Sequence, residues 1–153
     1  EGVMYETLNL ISLWKVPMLI VVENNRYAQS TPLEKNFAGS FSGRASAFNI
    51  SVGEIETNDV EKLSDRFEIL FYKIRAEGYS HMEIVHTYRL AAHSKGDDDR
   101  DTTEIEKWKK KDPILLMREK LTDINFNEIE KRVNHTIFQA EKKVREMPEA
   151  VIS

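Results

Sequence analysis

The chain has 153 residues, 41% hydrophobic and 31% charged, the composition of one globular domain or part of one. A net charge of −4 argues against nucleic acid or an anionic membrane surface as the main partner. Without cysteine there is no disulfide framework and no thiolate zinc site, and no apolar run is long enough to span a bilayer.

Val3, Met4, Leu8, Ile11 and Trp14 recur at helical spacing, which predicts a helix over roughly residues 2 to 14. It opens the chain with no strand before it. A further N-terminal part of the domain is therefore expected, on this polypeptide or another. Val16-Pro17-Met18-Leu19-Ile20-Val21-Val22 is an unbroken apolar run and predicts a fully buried strand of a parallel sheet. Residues 23 to 40 carry loop chemistry. Ser42 to Phe48 is a candidate short helix and Ile50 to Ile55 the next strand, with Asn58-Asp59 placed to cap the helix after it.

Val60, Leu63, Phe67, Leu70, Phe71 and Ile74 form a helix stripe that Gly78 stops. Met82 to Tyr88 reads as a strand, and Arg89 to Asp101 as a long polar loop. Residues 104 to 111 and 113 to 121 predict two short helices split at Asp112-Pro113. Phe126, Ile129, Val133, Ile137, Ala140 and Val144 predict a long closing helix that ends before Pro148. The stripes on these helices are assigned to the core. This alternation predicts an α/β domain with a parallel sheet and helices on both faces. Right-handed crossovers then bring the Asn24-Asn25 turn and the Arg89 loop to the same carboxyl edge of the sheet, where open α/β sheets bind ligands.

The chemistry-bearing candidates sit at that edge. Asn25, with a nearby backbone carbonyl, suits part of a magnesium site, because magnesium takes a few protein oxygens and lets phosphate and water supply the rest. The plainer reading is a turn whose asparagine side chains bond their own backbone. Arg89 and His93 could serve a phosphate or carboxylate pocket, with His93 able to move a proton; the plainer reading is a solvated loop. His81, His86 and His135 are expected to be structural or exposed. Ser94 next to His93 lacks a Gly-x-Ser-x-Gly elbow and is not expected to be a hydrolase nucleophile. It suits a regulatory hydroxyl, because phosphate added beside Asp97-Asp98-Asp99 would repel charge and disturb the loop. The acidic run is otherwise a solvated face.

Leu8-Asn9-Leu10-Ile11-Ser12-Leu13-Trp14-Lys15-Val16-Pro17, Val22-Glu23-Asn24-Asn25-Arg26-Tyr27-Ala28 and Ser30-Thr31-Pro32 closely resemble the alpha chain of the thiamine-diphosphate-dependent 2-oxo acid dehydrogenases. Thr87-Tyr88-Arg89, His93-Ser94 and Asp112-Pro113-Ile114 continue the likeness in order. It covers residues 1 to 150, as the carboxyl-terminal portion of a thiamine-diphosphate-binding domain. The resemblance implies oxidative decarboxylation of a 2-oxo acid with acyl transfer to lipoamide, using thiamine diphosphate and Mg2+. It implies that Asn25, by its side chain, and Tyr27, by its carbonyl, hold the metal. His93 is then catalytic and near the cofactor diphosphate, Arg89 is a loop arginine of the cofactor site, and Ser94 is the serine that some members phosphorylate.

A beta chain, a lipoyl acyltransferase core and an alpha2beta2 assembly are the implied partners. The implied location is the bacterial cytoplasm, preferred, or the mitochondrial matrix. The family's Gly-Asp-Gly metal motif would lie just before Glu1. Its absence from these residues leaves a second reading, a truncated non-catalytic relative with a structural or interaction role. An unrelated nucleotide-binding domain would need a Gly-rich phosphate loop, and none is present.

Overall fold

The structure, a computed structural model, describes residues 2–96 and 98–149. Its elements run α1 (Gly2–Leu13), β1 (Leu19–Asn24), β2 (Tyr27–Ala28), β3 (Thr31–Pro32), α2 (Leu33–Asn36), α3 (Phe41–Ser46) and β4 (Ser51–Glu56). They continue with α4 (Val60–Glu77), β5 (His81–His86), α5 (Thr102–Lys109), α6 (Pro113–Lys120) and α7 (Asp123–Glu146). Residues through Pro113 form one compact unit, and those from Ile114 onward form another.

In the first unit β1, β5 and β4 make a parallel sheet in that order, as the alternation of elements predicts. The register pairs Leu19 with His81 and Asn24 with His86 on one side of β5, and Ser51 with His81 and Glu56 with His86 on the other. Successive side chains of β5 point to opposite faces. Met82 and Ile84 meet Leu8 and Ile11 of α1, Ala45 of α3 and Ile50, with Ile20, Val22, Phe41, Phe48 and Val52 packed against them. The α4 side holds Leu70 and Ile74, both buried. The sheet thus carries helices on both faces.

Two expectations need correction. β1 is an outer strand rather than a fully buried one, and Val21 is 46% exposed. A continuous apolar run reports what a strand can bury, not what covers it. The helix stripes are also only partly core. In α1, Leu8 and Ile11 are buried while Val3 and Trp14 are exposed. α7 buries none of its residues, and Val133, Ile137 and Val144 all face out.

Local signals set the helix ends. Asp59 caps α4 by accepting from the backbone N–H groups of Glu61 and Lys62, and Gly78 closes it at φ 67°. Asn58, also expected near this cap, is buried instead; it donates to the Lys111 carbonyl and accepts from the Thr87 hydroxyl. Asp101 caps α5 and Thr122 caps α7. Gly53 lies opposite Glu83 in the register, and a Cβ there would collide with the Glu83 carboxylate and lie 2.5 Å from Arg66 Nη2. Only glycine leaves room for the ion pair that crosses it.

Candidate functional site

At the carboxyl edge of the sheet, the chain leaves β1 through Asn24 and Asn25. Asn24 is 7% exposed and is held on β5: its carbonyl accepts from Thr87 N–H, and its Nδ2 lies 3.3 Å from His86 Nδ1. Its Oδ1 accepts from Arg26 N–H at 3.1 Å, and Asn25 Oδ1 accepts from Tyr27 N–H at 3.0 Å. Both asparagines therefore make the local side-chain turns that their residue type favours. Arg26 sits at φ 66°, in the left-handed region.

The turn feeds the β2–β3 hairpin. Leu33 N–H donates to the Arg26 carbonyl at 2.8 Å, so the next pair inward, Tyr27 with Pro32, is the non-hydrogen-bonded one. Tyr27 therefore directs its N–H and its carbonyl away from β3, and proline, with no N–H, is tolerated opposite it. The N–H goes to Asn25. The carbonyl receives no ladder bond.

Arg89 ties the second loop to this hairpin. Its Nη2 donates to the Gln29 carbonyl at 2.6 Å and its Nε to the Ala91 carbonyl at 3.1 Å. Asn25, Tyr27 and Arg89 are thus brought to one edge, as expected. His93 and Ser94 lie further along the same loop and are exposed. Asp97, part of the acidic run, lies outside the described residues. His81 is buried, His86 is half-buried 3.1 Å from Glu54, and His135 is exposed.

The loop is organised by a residue that sequence reasoning missed. Arg100, with a side chain 3% exposed, donates Nε and Nη2 to the two Asp98 oxygens at 2.7 Å each. Its Nη1 donates to the Arg89 carbonyl at 2.6 Å and its Nη2 to that of Ala91 at 3.1 Å. Hydrogen bonding from Arg100 holds the Asp98 carboxyl down at about 2, and Asp98 in turn raises the Arg100 pKa above its ordinary value. The guanidinium also lies 5.5 Å from the Tyr27 ring centroid and 5.0 Å from that of Tyr88.

Tyr88 stacks on Trp108 at 5.1 Å and meets Tyr27 edge-on. The Tyr27 hydroxyl donates to Glu104 Oε2 at 2.9 Å. Burial and this carboxylate push the Tyr27 phenol up to about 12. Asp98 and Asp99 of the acidic run are exposed, as expected, while the side chain of Arg100 that follows them is buried. Nothing in its spacing distinguishes Arg100 from a surface cation; the rings of Tyr27 and Tyr88, far apart in sequence, join Asp98 and the loop carbonyls in holding it.

Among the described residues no group of three or more His, Asp or Glu side chains is placed to hold a metal. The edge offers instead a neutral amide oxygen on Asn25 and the carbonyl of Tyr27. The amide oxygen has a lone pair left beyond its bond to Tyr27 N–H. Two neutral, hard oxygen donors suit magnesium when a phosphate brings the charge. The donor chemistry fits a diphosphate-bound magnesium ion, and only as part of its ligand set.

A sequence profile for the dehydrogenase E1 component family matches residues 1–152. A pyruvate dehydrogenase E1 component subunit alpha from Rhizobium meliloti is 30% identical over 96% of this chain and 42% of its own length. Another with that name, from Rickettsia felis, is 26% identical over 93% of this chain and 46% of its own. The alpha subunit of an acetoin:2,6-dichlorophenolindophenol oxidoreductase from Bacillus subtilis is 31% identical over 92% of this chain and 44% of its own. The chain spans less than half the length of these relatives.

Proposed function

The chain belongs to the dehydrogenase E1 component family, and from that premise we propose that it is the carboxyl-terminal portion of a 2-oxo acid dehydrogenase alpha chain. Its reaction is oxidative decarboxylation of a 2-oxo acid, with the acyl group passed to lipoamide. The observation that carries this reading is the family match over residues 1–152, together with the placement of the Asn25 amide oxygen and the Tyr27 carbonyl at the carboxyl edge of a parallel sheet. Thiamine diphosphate, when bound, supplies the carbanion and the electron sink for decarboxylation.

This chain's own residues position and orient. Asn25, by its amide oxygen, and Tyr27, by its carbonyl, are ligands to Mg2+. The Tyr27 side chain, fixed by Glu104 and covered by Arg100, keeps that carbonyl in place. Arg89 joins the hairpin turn to the second loop and brings positive charge to the diphosphate. His93, in that loop, orients the diphosphate or moves a proton during acyl transfer. Ser94 is the regulatory position: phosphate there sets two further charges beside Asp98 and Asp99.

The remaining ligands come from residues beyond this chain, and the partners are a beta chain in an alpha2beta2 assembly and a lipoyl acyltransferase core. The bacterial relatives favour the bacterial cytoplasm over the mitochondrial matrix. The rival reading, a non-catalytic relative, draws on Asn25 Oδ1 already serving a local turn. Calorimetric titration of Mg2+ and thiamine diphosphate into the chain assembled with a beta chain separates the two. Binding is expected, weakened at least about tenfold in Asn25→Ala, with the circular dichroism spectrum unchanged. An assembly that binds neither ligand supports the non-catalytic reading. Equal binding by Asn25→Ala removes Asn25 from the metal site.

A further inference from the structure

At the opposite, amino end of the strands, three residues stand in a line that the carboxyl-edge site does not use. His81 Nε2–H donates to Glu83 Oε2 at 2.8 Å. The other ring nitrogen, Nδ1, is then left as an acceptor, and it lies 2.8 Å from Ser51 Oγ. Ser51 Oγ is also 3.0 Å from the Ser80 carbonyl, so its single proton has two acceptors, with the imidazole the nearer.

The fold places each member for a separate reason. The parallel register sets Ser51 directly beside His81. His81 and Glu83, two residues apart on β5, share a face because side chains alternate along a strand. Glu83 is 0% exposed, and Arg66 fixes its carboxylate through bonds of 2.8 and 3.0 Å. Tyr79 meets the imidazole edge-on and limits its movement. Ser51 itself is exposed, because it opens the outer strand β4. It lines a cleft of about 250 Å³ together with Ser12, Lys15 and Asn49. A hydroxyl, an imidazole with one nitrogen free to accept, and a buried carboxylate that fixes the tautomer are the parts of an activated nucleophile.

We propose that Ser51 is a nucleophile that accepts acyl groups from small esters, with His81 as its base and Glu83 as the positioning residue. Ser51 Oγ bonds to the acyl carbon while its proton passes to His81 Nδ1. The ester C–O bond breaks, and the leaving oxygen departs with the bonding pair and takes the proton from His81. Water then follows the same path and releases the acid. The Lys15 ammonium and the Asn49 amide line the cleft in which the negative oxygen develops.

A fluorophosphonate probe tests this, with the adduct located by tandem mass spectrometry and its rate of formation measured. Ser51 is expected to be labelled, and the label to be lost in Ser51→Ala, an exposed change that leaves the fold intact. His81→Gln is expected to slow labelling by about a hundredfold or more. Because His81 is buried, Ser12 provides a control within the unaltered protein: it lines the same cleft without a histidine partner. Ser51 should react about a hundredfold faster than Ser12. No adduct, equal labelling of Ser12 and Ser51, or a folded His81→Gln variant that labels at the original rate overturns the proposal.

Discussion

Replacing Arg66 by Met tests the account of the buried carboxylate. Glu83 has no exposure, and Arg66 meets it through two bonds while its own side chain stays 37% exposed. Removing one partner of a buried pair typically costs about 3–5 kcal/mol, because a charge is left uncompensated. Two features lower that figure here. The exposed part of Arg66 is screened by water, and His81 still donates one hydrogen bond to Glu83. A loss of about 2–3 kcal/mol remains, which corresponds to a melting temperature lower by about 5–10 °C for a domain of this size.

The pH dependence carries the same signature. Burial raises the Glu83 pKa, but the hydrogen bonds from Arg66 and then His81 outweigh it, and the net value lies below 4.5. A carboxyl depressed in the folded state stabilises above its unfolded pKa. Its contribution is therefore lost as pH falls from about 4.5 through the folded value. Urea melts followed by circular dichroism between pH 3 and 7 should show that acid-linked loss in the original protein and a flatter profile in Arg66→Met. The double change Arg66→Leu with Glu83→Leu removes the uncompensated charge but leaves the buried His81 Nε2–H without its acceptor, so it should recover only part of the loss. A cost below about 1 kcal/mol for Arg66→Met alone, with an unchanged pH profile, would refute the reasoning.

Other outcomes rest on the same geometry. Gly53→Ala sets a methyl group into the Arg66–Glu83 pair and should lower the melting temperature about as much as Arg66→Met. Arg100→Met releases the Arg89 and Ala91 carbonyls and should speed amide exchange and proteolysis across residues 89 to 96; unchanged protection would contradict its role as the loop's organiser. The Tyr27 phenol, held at about 12, should titrate by ultraviolet absorbance above the ordinary value and return toward it in Glu104→Gln. A pKa raised in the folded state gives stability that is complete below the unfolded value of 10 and lost as pH rises through about 12. Alkaline melts should place the loss in that window. Gly78→Ala at φ 67° should cost about 1 kcal/mol by forcing a side chain into the left-handed region.

The parallel sheet and its order of elements were legible because the Val60 to Ile74 stripe and the strands around it obey different periods. The Asn24-Asn25 turn was legible because its residue types favour one local geometry. Burial was less so. The stripe of α7 looks like that of α4 in sequence, yet α4 has a sheet face to cover and α7 buries nothing. Periodicity states which face is apolar, while burial depends on what lies opposite. Arg100 was illegible for a related reason: its aromatic neighbours come from separate segments. Ser51, His81 and Glu83 were likewise invisible until the register set β4 against β5.

The unpaired side of β1 has a consequence for handling the protein. Its outer backbone groups have no partner strand among the described residues, and Val21 beside them is exposed. Such an edge recruits strands from other molecules, a process that accelerates with concentration. Isolated chain should therefore lose solubility in a dose-dependent way as the protein is concentrated.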